Sequence, residues 1–522
     1  MPKFYISTSI AYVNARPHIG FAMEVIQADV LARFHRAQGT PVFYLTGTDE
    51  HGMKIAQAAK EKNLTPQAFT DEISAHFRAL KDLLNLSNDR FIRTTDADHI
   101  KSAQKIWMKM FEAGDFYKGS YEGLYCVGCE SFITEKDLVN GMCPNHNKAP
   151  EKLKEENYFF KLSKYSEQIR KLIEDDVLKI VPAARKHEIL TVLKEGLKDV
   201  SFSRPKAALE WGIEVPNDPS QVMYVWCDAL SNYITGVGYA DEENAGSVGA
   251  ELFKKFWPAD VHLIGKDILR FHSAIWIGML LSAGIRLPHN IYVHGFITSE
   301  GKKMSKSLNN VVDPVDVVKQ YSADALRYYV LREIPTTEDG DFSQERFKVL
   351  YESELANTFG NLVSRVLAMN QKYFEGKVPD ASKTPGNAAT NDFFDSKLQD
   401  LWKKYDQHMN AFDLKAALEQ AIELGYFANE YVESQKPWVL AKEDQLKLAE
   451  VIYNLLEMIR QLGLLLLPFI PMTAGKILEY LGISAESVRT DAARKWGLLP
   501  VGQEVSKAEP LFPRLIEEKP IT

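Results

Sequence analysis

The chain opens on a β-rich run at residues 3–8, followed by a loop with Asn14, Arg16 and Pro17. From about His18 the period changes. Ala22, Ile26, Val30 and Phe34 recur at i+4 and predict one buried helix face, which Gly39 stops. Residues 42–46 form a second β-branched and aromatic run, so the start of the chain reads as strand, helix, strand. Such alternation predicts a parallel sheet with crossover helices. Helical patterning is expected to continue from about 66 to 113.

Periodicity breaks down between Phe116 and about Phe202, where short β-like pieces such as 157–162 stand out. This stretch reads as an insertion into the α/β domain. Strand and helix signals resume at 223–226, at 261–264, in a helix around 268–281, and at 291–293. From about Tyr351 the chain reads as helical, apart from a polar loop at 375–391. Leu414, Leu418 and Ile422, then Ile452, Leu455, Leu456 and Ile459, carry helix spacing and predict an α-bundle. The most apolar stretch, 451–472, contains Asn454, Glu457, Arg460 and Gln461. Its unbroken apolar runs fall short of the ~20 residues of a membrane span, so it reads as a buried bundle helix.

At ~150 residues per domain, 522 residues make roughly three or four domains. Hydrophobic residues at 45% and charged residues at 25% exclude a mostly disordered chain. Lys+Arg 62 against Asp+Glu 70 leaves −8, so a nucleic-acid partner would have to be held by local patches. The N-terminus lacks the pattern of a signal peptide, and four cysteines do not make a disulfide framework. A cytoplasmic protein is expected.

Cys126-x-x-Cys129, thirteen intervening residues and Cys143-x-x-His146 present three thiolates and one imidazole. That set suits tetrahedral Zn²⁺, and with all four positions filled by protein the site is expected to be structural. Cys227 has no partner in this pattern and is expected to be an ordinary buried thiol.

Two elements carry candidate phosphate chemistry. His18-Ile19-Gly20-Phe21 opens the first helix directly after a loop, where free backbone N–H groups and the helix dipole favour anions. Gly301-Lys302-Lys303-Met304-Ser305-Lys306-Ser307 is a loop whose Lys303 and Lys306 could converge on a polyphosphate. Taken singly, the first reads as a surface histidine and the second, about evenly, as a solvated basic loop.

Together, in this order, they resemble the paired His-Ile-Gly-His and Lys-Met-Ser-Lys-Ser signatures of class I aminoacyl-tRNA synthetases. Residues 11–14 (Ala-Tyr-Val-Asn), 47–52 (Gly-Thr-Asp-Glu-His-Gly), 224–229 (Tyr-Val-Trp-Cys-Asp-Ala), 265–268 (Gly-Lys-Asp-Ile) and 293–296 (Val-His-Gly-Phe) look like motifs of the methionyl-tRNA synthetase family. So do residues 360–365 (Gly-Asn-Leu-Val-Ser-Arg) and 436–438 (Lys-Pro-Trp). The resemblance implies an α/β fold, a split Rossmann-like parallel sheet with a zinc-knuckle insertion, followed by an all-α anticodon-binding bundle. Expected divisions are 1–115 and 223–349 for the two catalytic halves, 116–222 for the insertion and 350–522 for the bundle.

The implied reaction activates methionine with ATP and transfers it to the 3′ end of tRNA(Met), initiator and elongator. By resemblance, Ile10, Ala11, Tyr12, Trp226, Ala229, Leu230, Tyr233, Ile268, His272 and Trp276 line the methionine pocket, and Asp49 pairs with the α-ammonium. Asn14, His18, Gly20, Gly265, Asp267, Gly295, Phe296, Lys303 and Lys306 lie around ATP and its Mg²⁺, with His18, Lys303 and Lys306 catalytic. Asn361, Arg365 and Trp438 read the anticodon; Trp438 follows a helix-breaking proline that can present its indole to a base. Phe21 stands where the family usually has a second histidine, which removes one donor to the phosphates.

Three other readings stay open at this level. A class I synthetase for another apolar amino acid disagrees with the short, cysteine-centred insertion. A tRNA-binding paralogue weak in catalysis is motivated by Phe21 and opposed by Lys303 and Lys306. A zinc-dependent interaction protein leaves the lysine loop unexplained. With no basic appendage after the bundle and no added dimerisation module, tRNA binding is expected to rest on the bundle and the catalytic face of a monomer.

Overall fold

The computed structural model describes residues 2–126, 131–133, 135, 138–144, 148–299, 301–303, 310–485 and 490–514. The chain divides into two compact units, one of residues 1–17, 42–81 and 88–294, the other of 18–41, 82–87 and 295–522.

The first unit is built on a seven-stranded parallel sheet in the order Ala11–Tyr12, Val42–Asp49, Phe4–Thr8, Val261–Gly265, Asn290–His294, Lys179–Val181, with Arg90–Arg93 also paired to Val42–Asp49. The central strands are buried along their length, as expected of a sheet covered on both faces. The sheet changes direction of growth between Phe4–Thr8 and Val261–Gly265, and Ser9 N–H donates to Leu263 O at 3.0 Å there. Open α/β sheets bind ligands beyond the strand C-termini at such a point.

Four features differ from the pattern reading. The helical run expected over 66–113 is two helices, Pro66–Leu83 and Ala97–Glu112, separated by the strand Arg90–Arg93. Four residues with two arginines carry little strand signal. Their place is fixed by Gly47, where a Cβ would lie 2.0 Å from the Ile92 carbonyl oxygen. The helix Met53–Glu61 was not anticipated. The strand placed at 223–226 ends at Met223, and Val225–Leu230 is a helix despite its β-prone Val225 and Trp226, because packing overrides propensity there. Finally, residues 179–181, inside the stretch read as an insertion, form an edge strand of the parallel sheet, paired with Asn290–His294. Three residues are too short a run to show a period.

Elsewhere in that stretch lie the helices Ser166–Glu174 and Ala183–Lys194 and small antiparallel sheets, the larger pairing Phe116–Cys126 with Glu151–Phe160. Phe116 stacks on Trp107 with ring centroids 4.3 Å apart, and Phe160 and Phe202 continue this aromatic core.

The second unit contains the first helix, Ile19–Ala37, with Ala22, Ile26, Val30 and Phe34 all buried as predicted. It also holds the long helices Asn361–Phe374, Asn387–Asn410, Leu414–Gln435 and Gln445–Leu466. The last of these is buried throughout from Leu448 to Leu466. Among the described residues no helix is long and apolar enough to cross a membrane.

One buried arginine ties the unit together. Arg327, on Ala323–Arg332, donates to the carbonyl oxygens of Leu84, Pro468 and Phe469 and pairs with Asp29 of the first helix at 2.7 Å. Asp29 also accepts from Arg33, Ser87 N–H and Ser87 Oγ. Burial alone would raise its pKa, but Arg327 and Arg33 outweigh that and hold the carboxyl below the usual range.

Candidate active site

The C-terminal ends of the central strands supply the first residues of the pocket. Phe4–Thr8 runs out into Ile10, and the short strand Ala11–Tyr12 pairs with the end of Val42–Asp49, Ala11 opposite Thr48 and Tyr12 opposite Asp49. Val13 N–H donates to the Asp49 carbonyl at 3.2 Å. Asp49 is buried, and three residues on Gly52 takes φ 118 to start Met53–Glu61. A carboxylate at a strand end beside an apolar cleft suits an ammonium group.

The apolar wall comes from two helical segments. Val225–Leu230 carries Trp226, Ala229 and Leu230. A short 3₁₀ turn, Lys266–Ile268, leads into the π-helical turn Phe271–Ile275 and the helix Trp276–Ser282, which carry Ile268, His272 and Trp276. Such π turns recur at functional sites because they re-aim side chains. Trp226 stacks flat on Phe271 with centroids 3.7 Å apart, and Tyr233 lies 5.6 Å from the His272 ring and 5.8 Å from Trp276. The structure therefore brings together Trp226, Tyr233, His272 and Trp276; Ile10, Tyr12 and Ile268 pack against the same core.

Donor and acceptor capacities fix the protons on this wall. The Ile268 carbonyl only accepts, so His272 donates from Nδ1 at 2.9 Å and its Nε2 accepts the Tyr233 hydroxyl proton at 2.6 Å. Trp276 Nε1 only donates, so His262 accepts at Nε2 and gives its Nδ1 proton to Ser7 Oγ. Both imidazoles are neutral. Burial pushes His272 down to about 4 and holds His262 well below the ordinary value. This wall carries no charge, which suits a side chain without charge or a strong hydrogen-bonding group.

Four contributors escaped the sequence reading although two stood inside its motifs. His51 Nδ1 lies 2.6 Å from Asp228 Oδ2, His99 Nε2 lies 2.7 Å from Asp228 Oδ1, and all three are buried. Phe271, the partner of Trp226, adjoins His272 in the chain. Presence within residues 47–52 and 224–229 was the available signal for His51 and Asp228. His99 had none.

The expected nucleotide residues fall in both units. In the first, exposed Asn14 follows the strand Ala11–Tyr12, and Gly265 ends Val261–Gly265. Asp267 folds back so closely that a Cβ at Gly265 would lie 2.9 Å from its Oδ1. In the second, His18 is the N-cap of the first helix and its Nδ1 accepts from Gly20 N–H at 3.0 Å. That bond leaves the neutral ring's proton on Nε2 as an outward donor. The ring reaches the surface, yet the protein packed against it desolvates it and holds its pKa below the ordinary value. Gly20 is required by this fold-over, since a Cβ there would sit 2.8 Å from His18 Cε1.

Gly295 is packed against the 338–339 backbone, 2.2 Å from a would-be Cβ, and Phe296 N–H donates to Asp339 Oδ1. Lys303 lies in the hairpin strand Lys302–Lys303, opposite Thr298, with Gly301 at φ 71 in the turn. Gly301 N–H is held by Asp341 Oδ1 at 2.8 Å. Lys306 lies outside the described residues.

Of the expected zinc ligands, Cys126 ends the strand Phe116–Cys126 and Cys143 donates its N–H to Lys148 O; both are buried. Cys129 and His146 lie outside the described residues. Two buried soft donors in a loop-rich segment fit a structural ion. Cys227 is fully buried, and burial pushes its thiol up.

In the bundle, Asn361 Nδ2 donates to Asn357 Oδ1 at 3.2 Å, and Arg365, one turn later, pairs with Glu433 at 2.7 Å. Lys436, at φ 47, breaks Leu414–Gln435 from Pro437–Glu443, and Trp438 is 41% exposed at the start of the latter.

Comparison with known proteins agrees with this geometry. The family model for class I tRNA synthetases (M) matches residues 4–152 and 136–367, and the model for the anticodon binding domain of methionyl tRNA ligase matches 378–521. The methionine–tRNA ligase of Caldanaerobacter subterraneus is 45% identical over 99% of this chain and 79% of its own length. That of Rhizobium meliloti is 41% identical over 98% of each. The structure of Mycobacterium tuberculosis methionyl-tRNA synthetase in complex with methionyl-adenylate superposes with a TM-score of 0.92 at 40% identity, covering 98% of this chain and 100% of that one. An apo form of the same enzyme gives 0.85 at 36% identity, covering 100% and 99%. With family models and near full-length relatives in agreement, the chain belongs to the methionyl-tRNA synthetase family of class I aminoacyl-tRNA synthetases.

Proposed function

We propose the following division of labour for the family's reaction, the ATP-dependent joining of methionine to tRNA(Met). The methionine carboxylate attacks the α-phosphorus of ATP, releasing pyrophosphate, and a ribose hydroxyl of the tRNA 3′-terminal adenosine then takes the methionyl group and releases AMP. No bond to the enzyme forms, so its part is positioning and electrostatic stabilisation.

Asp49 receives the α-ammonium, and the side chain enters the wall of Trp226, Ala229, Leu230, Tyr233, Ile268, His272 and Trp276, with Ile10, Ala11 and Tyr12 at the strand ends. The neutral Tyr233–His272 pair is the observation that carries this reading, because a charged wall would reject a thioether. His18 Nε2–H, the first-helix N-terminus, Lys303 and Lys306 neutralise phosphate charge, with Asn14, Gly20, Gly265, Asp267, Gly295 and Phe296 around the nucleotide. Mg²⁺ enters with ATP. Phe21 leaves His18 as the sole imidazole donor of its signature.

Cys126, Cys129, Cys143 and His146 would hold Zn²⁺, which ties the knuckle together and takes no part in acyl transfer. Asn361, Arg365 and Trp438 face the anticodon, Trp438 by stacking. The functional divisions remain 1–115, 116–222, 223–349 and 350–522, with strand 179–181 lent to the catalytic sheet. A tRNA substrate and a chain with only four cysteines support a cytoplasmic site of action, and a monomer is expected on size-exclusion chromatography.

Exchange of labelled pyrophosphate into ATP, run with each of the twenty amino acids without tRNA, tests the assignment. Exchange with methionine alone is the expected result. Exchange with another amino acid would overturn the pocket.

A further inference from the structure

Asp228 sits between the two halves of the amino-acid pocket. It lies on Val225–Leu230, two residues after Trp226 and next to Ala229. His51, which reaches it at 2.6 Å, lies two residues after Asp49 at the end of the neighbouring strand. The opposite carboxylate oxygen takes His99 Nε2 at 2.7 Å from Ala97–Glu112. A carboxylate only accepts, so His51 donates from Nδ1 and His99 from Nε2. Burial alone would raise the Asp228 pKa; the two imidazoles reverse this and bring it to about 2. The carboxylate is 1% exposed and clamped from both sides, so it cannot rotate without breaking a charge-assisted bond.

The loop on which His51 sits is anchored as firmly. Glu50 accepts from Arg93 Nε and Nη2, each at 2.7 Å, and its carbonyl accepts from Trp211 Nε1 at 2.5 Å. Trp211 also packs on the His51 ring, 5.2 Å between centroids. The Asp49 end of the pocket is thus rigid up to His51, the Trp226 end is rigid up to Asp228, and one hydrogen bond joins them.

We infer that the His51–Asp228–His99 triad is a positioning device for methionine, setting the span between the carboxylate that takes its ammonium and the wall that takes its side chain. The inference rests on the pocket reading above. Displacing a bound reactant by about 1 Å can cost ~10²-fold, which gives one such bond kinetic leverage. A buried charge cluster that served stability alone would leave the two substrates' KM values equal to wild type in whatever enzyme remained folded.

The test is methionine-dependent pyrophosphate exchange on the full chain. Asp228→Asn keeps the shape and removes the charge; it is expected to raise the KM for methionine about tenfold or more and that for ATP less than about twofold. His51→Ala should do the same. His51→Asn, whose amide places an N–H near the Nδ1 position, should return the methionine KM to within about threefold of wild type. Equal methionine KM values for His51→Ala and His51→Asn, or parallel rises in both substrates' KM, overturn the triad's role. The His51 pair supplies this comparison even where Asp228→Asn fails to fold. Asp49→Asn separates the two claims: an unchanged methionine KM there overturns the pocket and the inference together. A raised value there with wild-type behaviour in both His51 variants overturns the inference alone.

Discussion

Tyr233 gives its one hydroxyl proton to His272, whose other nitrogen is already committed to the Ile268 carbonyl. The pair is closed, with no proton left to exchange, and burial holds His272 near 4, below the 6.5 of a free imidazole. The unfolded chain therefore takes up protons below pH 6.5 that the folded chain refuses until about pH 4. Stability from this site is full above pH 6.5 and declines as the pH falls toward 4, by on the order of 3 kcal/mol. His262 acts in the same direction. Thermal unfolding from pH 7.5 to 4 should show this slope, and His272→Gln should flatten it. Asp228, brought to about 2, keeps its contribution across that window and loses it only as the pH falls through about 2.

Gly20→Ala places a methyl group 2.8 Å from His18 Cε1, so the imidazole must leave its cap. Losing one preorganised donor to the phosphates costs ~10²-fold in rate. Pyrophosphate exchange should lose about that factor in kcat with little change in the methionine KM.

Trp438→Ala separates the two steps. Stacking on a base contributes about 1–3 kcal/mol, so the KM for tRNA should rise roughly tenfold or more while pyrophosphate exchange is unchanged. Aminoacylation set against exchange in one preparation reads this directly.

Much of this was legible in the sequence, for identifiable reasons. The first helix showed itself because Ala22, Ile26, Val30 and Phe34 are buried on one side, and the Gly47–Gly52 motif marked the strand end that carries Asp49. Arg90–Arg93 and Lys179–Val181 stayed hidden because three or four residues cannot display a period, and their pairing is set by distant strands. Asp228 and His51 were visible as letters in motifs, but their bond spans 177 positions and no local pattern encodes it. The proton arrangement of Tyr233 and His272 likewise depends on the π turn that aims His272 back at Ile268.

Metal content is open to direct measurement. Elemental analysis should find one zinc per chain, and Cys143→Ser should abolish it, because three ligands hold such an ion far less tightly than four. Structural zinc sites commonly contribute ~10 kcal/mol or more of folding energy to their module. Limited proteolysis around 127–147 should therefore accelerate on chelation, while methionine-dependent exchange declines more slowly.

Arg327→Ala leaves Asp29 fully buried with its charge balanced by Arg33 and with hydrogen bonds from Ser87. Breaking a buried pair from one side costs about 3–5 kcal/mol, and three carbonyl oxygens lose their donor as well. Chemical denaturation should show a loss of that order, and Asp29→Asn combined with Arg327→Met should recover part of it.

The same arginine sets a timetable for synthesis. Asp29 leaves the ribosome long before Arg327, and the carbonyl oxygens of Pro468 and Phe469 that complete the cluster emerge later still. At ~5–20 residues per second the first helix waits many seconds before Arg327 can reach its aspartate. The nascent N-terminal segment cannot be sealed as an independent unit. The cluster that seats this helix is complete only when nearly the whole polypeptide has been made.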